Sequence, residues 1–79
     1  MKIYWHGDSK NIIGKKVRSL RTERKMSQKY LAEQLQLAGY DFTDLTILRI
    51  ENGTRFVPDY EVKAIADVFG IDYSELLDE

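Results

Sequence analysis

The chain has 79 residues, 43% of them apolar, with no cysteine and a formal net charge of −1, which suits one small domain with one core and excludes a disulfide framework or a thiolate metal site. No apolar run approaches the ~20 residues of a membrane span, and MKIYWHGDSK has no signal-peptide core, so a cytoplasmic protein without membrane association is expected. Charge is unevenly spread: residues 1–30 hold nine Lys/Arg against two acids, and residues 31–79 hold three against eleven, which predicts a basic face and an acidic face.

Residues 1–9 show no helical period and read as an N-terminal arm. Ile3, Tyr4 and Trp5 together are costly to leave exposed, so packing of the arm on the core is expected. Residues 10–79 read as the domain proper. From Asn11 the positions Ile13, Val17, Leu20 and Arg24 follow helical spacing, with Ser9 or Asn11 as the cap. Gly14 in the first turns weakens that helix unless another element packs closely there. Ser27 reads as the cap of a second helix with Leu31, Ala32 and Leu35 inward. Thr43 caps a third, with Asp44 in its first turn and Ile47 and Ile50 inward, and Asn52-Gly53 stops it. Pro58-Asp59 opens a fourth helix, with Val62, Ile65, Ala66 and Phe69 buried and Gly70 ending it. Asp72 and Glu75 suggest a capping box for a last short helix holding Leu76 and Leu77. No segment after residue 9 alternates with period 2. The expected fold class is all-α, five helices.

Little supports catalysis. There is one histidine, His6, in the arm, and no phosphate loop, dinucleotide or metalloprotease motif. Asp41, Asp44, Glu51 and Asp59 read more simply as turn, cap or ion-pair residues than as an acid/base pair. No enzyme activity, metal, cofactor or small-molecule ligand is expected.

Two consecutive short helices, the second polar outside, are what major-groove reading needs. Ser27, Gln28 and Lys29 start the second helix, where free N–H groups attract phosphate. With Ile47 and Ile50 inward, Asp44, Leu45, Thr46, Leu48 and Arg49 lie outside. Arg49 suits guanine, Thr46 a base or phosphate, and Leu45 a thymine methyl. The following loop, NGTRF, offers Arg55 and backbone N–H groups to phosphate.

The segments I-G-x-x-V-x-x-L-R at 13–21, S-Q-x-x-L-A at 27–32, I-x-R-I-E-x-G at 47–53 and I-A-x-x-F-G-I at 65–71, followed by E-L-L at 75–77, resemble the Cro/repressor-type, or XRE-like, helix-turn-helix family over about residues 12–77. The resemblance implies a five-helix, repressor-like domain that binds double-stranded operator DNA, usually as a homodimer. It places Gln28 against backbone phosphate. It makes Thr43 to Arg49 the recognition helix, with Asp44, Leu45, Thr46 and Arg49 facing DNA, and gives Asn52, Thr54 and Arg55 to a phosphate-gripping loop. It also pairs Arg21 with Glu51 as a structural salt bridge between the first and third helices. Phe56, Tyr73 and Leu77 are candidates for the dimer surface.

One departure lies between the second and third helices. Ala32 and Glu51 are 19 positions apart, five more than the resemblance implies, and the extra residues fall within Gln36–Asp41. The expectation is that Gln36–Ala38 extend the second helix by about a turn, Gly39 ends it, Phe42 fills a core slot, and Tyr40 and Asp41 bulge outward. Asp44 at a reading position repels phosphate. It leaves open an alternative, a protein-interaction module that keeps the fold without operator binding.

Overall fold

A computed structural model describes residues 9–78; the expectations for Ile3, Tyr4, Trp5 and His6 lie outside the described residues. Five helices follow in order: α1 (Gly14–Glu23), α2 (Gln28–Leu37), α3 (Asp44–Glu51), α4 (Asp59–Phe69) and α5 (Tyr73–Leu77). The described residues contain no strand, so the fold is all-α.

Each helix starts where a side chain or a proline supplies a start. Ser27 Oγ accepts from the Tyr30 amide at 2.9 Å, Thr43 Oγ1 from the Thr46 amide at 3.3 Å, and Asp72 Oδ1 from the Ser74 amide at 3.1 Å. Pro58 stands before α4, where its missing N–H loses nothing. Helix α1 begins three residues later than the periodic pattern suggests. Asn11 still caps it from outside: its Oδ1 accepts from the amides of Ile13 at 3.1 Å and Gly14 at 2.8 Å. At α5 only half of the expected capping box forms, since the Asp72 side chain bonds but Glu75 returns no bond to the cap. Leu76 is buried, while Leu77, a candidate for the dimer surface, is 41% exposed.

The first four helices end alike. In each, a residue in the left-handed region follows the helix, and two amides fold back to carbonyls near the end of the helix. The left-handed residues are Lys25, Gly39, Gly53 and Gly70. For α2 the bonds are Tyr40 N–H to the Leu35 carbonyl and Gly39 N–H to the Gln36 carbonyl, both 3.0 Å. For α1 they are Met26 to Arg21 and Lys25 to Thr22, at 2.9 and 3.0 Å. Lys25, with φ of 57°, takes the conformation without being glycine, which costs a β-carbon-bearing residue about 1 kcal/mol.

Ile13, Val17, Leu31, Leu35, Phe42, Ile47, Ile50, Ile65 and Leu76 form the inner core, drawn from every helix and from the α2–α3 joint. The joint runs over six residues, 38–43. Helix α2 ends at Leu37, so Gln36 and Leu37 are helical and Ala38 is its cap. Phe42 is 2% exposed. The Gln36 side-chain amide donates to the Phe42 carbonyl, and the Phe42 amide bonds the Tyr40 carbonyl at 2.9 Å. The expectation that Tyr40 bulges outward is corrected. Its ring packs against the core and meets Phe42 edge-on, with centroids 6.3 Å apart, and only Asp41 stands exposed. An aromatic ring buries more apolar area against a neighbouring ring than it would in solvent.

Candidate nucleic-acid interface

The arrangement of α3 decides what its side chains can do. Ile47 and Ile50 are fully buried. Leu45, Leu48, Arg49 and Asn52 therefore fall on the opposite, outer side at the spacing i, i+3, i+4, i+7.

Three sets of contacts hold α3 in place. At its start, Thr43 and Thr46 form a reciprocal box: Thr46 Oγ1 accepts from the Thr43 amide at 3.1 Å, and the two hydroxyls lie 3.1 Å apart. At its end, the first turn of α1 presses on it. A side chain at Gly14 would run into the Ile50 carbonyl oxygen, so glycine is what lets the two backbones approach. Asn11 Nδ2 donates to the Ile50 carbonyl at 3.2 Å and to the Arg55 carbonyl at 2.8 Å. One asparagine thus caps α1 and holds both the end of α3 and the loop after it.

The third set is ionic. Arg21 Nε donates to Glu51 Oε2 at 2.6 Å and Arg21 Nη2 to Glu51 Oε1 at 3.1 Å, a two-point contact. Arg21 Nη1 also donates to the Met26 carbonyl at 2.8 Å, and Gln28 Nε2 donates to Glu51 Oε1 at 3.1 Å. The Arg21 and Glu51 side chains are only 13% and 4% exposed. Helices α1, α2 and α3 therefore meet at one carboxylate. Gln28, read from the sequence as a phosphate contact, has its amide nitrogen engaged here.

Several other sequence-predicted residues are also engaged inside the molecule. Arg55 Nη1 and Nη2 donate to the Glu61 carboxylate at 2.7 and 3.3 Å, and the guanidinium lies 5.2 Å from the centre of the Phe42 ring. Asn52 Oδ1 accepts from the Thr54 amide at 3.1 Å and from its hydroxyl at 2.7 Å, so Asn52 and Thr54 shape the loop they share. Asp44 Oδ1 accepts from the Leu45 amide at 2.9 Å. Arg49 differs from all of these: its guanidinium has no hydrogen bond or ion pair among the described residues. Ser27, through its cap, leaves the amides of Gln28 and Lys29 unbonded at the start of α2.

Sequence reasoning missed Glu61 and gave Asn11 only a capping role. Glu61 stands six residues from Arg55 across a loop, where no helical period links them. It is an 8%-exposed carboxylate on α4.

Lys15, Lys16 and Arg18 are exposed on α1, and Lys29 on α2. Arg18, Arg21, Gln28, Leu48, Glu51 and Asn52 line a hollow of about 180 Å³ between the helices.

The description of the helix-turn-helix domain matches residues 14–79, from the first residue of α1 onward. The chain belongs to the helix-turn-helix domain family. No curated protein and no solved structure matches it. The family is a DNA-binding one, and the match accords with the five-helix all-α architecture. No helix among the described residues is long and apolar enough to cross a membrane.

Proposed function

We propose that this chain is a cytoplasmic, sequence-specific transcription regulator that acts as a repressor, laying α3 in the major groove of an operator. The observation that supports this most is the outer stripe of α3. It stands clear of a core that fixes the helix at both ends, and it carries Arg49 without a partner among the described residues. Ser27, Gln28 and Lys29 offer the start of α2 to one phosphate, and the Asn52–Arg55 loop offers its backbone to another. Thr43, Asp44, Leu45, Thr46 and Arg49 face the bases or the adjacent backbone. A repressor of this kind works by occupying its site.

The reading includes a homodimer. Tyr73 and Leu77 line a groove of about 590 Å³ with Val57, Tyr60 and Val62, and Phe56 joins Leu77 in the neighbouring hollow. Leu77 lines both hollows, so Phe56, Tyr73 and Leu77 share one face, mainly apolar with Asp59 and Lys63 at the groove wall, which suits a symmetric contact. The joint at residues 38–43 is, on this reading, longer than in related domains and brings exposed Asp41 beside the groove edge.

Selection of bound duplexes from a random pool, followed by affinity measurement across a salt series, tests the proposal. Expected are a consensus with two-fold symmetry and an affinity that falls with salt, the log–log slope near −0.9 per neutralised phosphate. If no sequence outcompetes random duplex, the regulator reading fails and the interaction-module reading replaces it.

A further inference from the structure

The outer stripe of α3 is poor in hydrogen-bonding groups. Leu45 and Leu48 occupy two of its four positions and are 47% and 43% exposed. The polar side chains beside them are largely spent. The Thr46 hydroxyl is held in the capping box, Asn52 Oδ1 is taken by Thr54, and Asp44 Oδ1 is bonded to the Leu45 amide. Arg49 and the Asn52 amide nitrogen are the donors that remain on the stripe. A surface so composed reads by apolar contact.

The major-groove edge of DNA offers one apolar group, the C5-methyl of thymine. Leu45 and Leu48 are three residues apart, so they sit about 5–6 Å apart on one side of the helix. Successive bases along a strand are about 3.4 Å apart. The pair therefore spans methyl groups on neighbouring or next-neighbouring bases. Charge beside the pair is mixed: Leu48 shares its hollow with Arg18 and with the Arg21–Glu51 ion pair, and exposed Asp44 adjoins Leu45, while Arg49 stands beside both leucines; Arg18 and Arg49 are the cations there that suit a polyanion.

Resting on the function proposed above, we infer that Leu45 and Leu48 read thymine methyl groups, and that they set a thymine preference at two nearby positions of each half-site.

The test uses the full chain and the duplex selected from a random pool, resynthesised with deoxyuridine in place of thymidine at those positions. Each methyl removed costs about 0.8 kcal/mol, roughly a fourfold loss, so replacing both should weaken binding about fifteenfold. The double variant Leu45→Ala, Leu48→Ala should bind the thymidine and deoxyuridine duplexes equally. Both leucines are exposed and alanine favours helix, so circular dichroism should show the fold unchanged. Specific binding with equal affinity for the two duplexes would overturn the methyl reading and leave the regulator reading standing. Absence of any preferred sequence would overturn both.

Discussion

The two sides of α3 are built on opposite terms. On the inner side the polar groups are engaged: Glu51 binds Arg21 and Gln28, and the Ile50 carbonyl binds Asn11. On the outer side Arg49 has none among the described residues, and two leucines face solvent. The contrast separates mounting from reading. Rigidity on one side lets the other hold side chains at defined positions while keeping them available, which is what a binding site on a rigid element requires.

The comparison predicts that inner-side substitutions reduce stability and outer-side ones do not. The largest loss is expected for Glu51→Ala. It strands the Arg21 guanidinium among three helices, and removing one partner of a buried pair costs about 3–5 kcal/mol. The 13% exposure of Arg21 puts the expected loss near the lower end, about 3 kcal/mol, or a fall in Tm on the order of 10–20 °C for a domain of this size. An unfolding midpoint within a few degrees of the parent would show that the ion pair does not mount α3. Gly14→Ala comes next. The new methyl meets the Ile50 carbonyl, part of the backbone, so α1 and α3 must separate, and overpacking of this kind costs about 1–3 kcal/mol. Chemical denaturation would register it, and a neutral outcome would mean that the two helices are not held at this contact. Thr43→Ala removes a cap and half of the hydroxyl pair, with an expected loss of about 1 kcal/mol, read as a small shift of the denaturant midpoint.

Much of the fold could be read from the residues because the helix signals are local. Ser27, Thr43 and Asp72 cap, Gly39, Gly53 and Gly70 stop, and each acts within four residues of its own position. Where a signal is weak or absent, the reading slipped. Lys25 ends α1 in a conformation usually given to glycine, and Asn11 caps α1 from outside the helix, so the start moved from Asn11 to Gly14. The site was less legible, because side-chain use depends on partners far along the chain. Arg55 and Arg49 look alike in the sequence as exposed cations near the third helix. Only the position of α4 brings Glu61 to Arg55, while Arg49 has no partner among the described residues. Tyr40 turned inward for the same kind of reason: the burial of Phe42 gave it a ring to pack against.

Arg49→Ala measures the central claim most directly, with stability and DNA affinity determined on the same protein. The side chain is exposed and unbonded, so unfolding should change by no more than about 0.5 kcal/mol. Affinity for the selected duplex should fall by about tenfold or more, as expected for loss of a bidentate contact to guanine, while binding to random duplex changes little. Unchanged affinity for the selected duplex would contradict the account, because the outer side of α3 would then not be the reading surface.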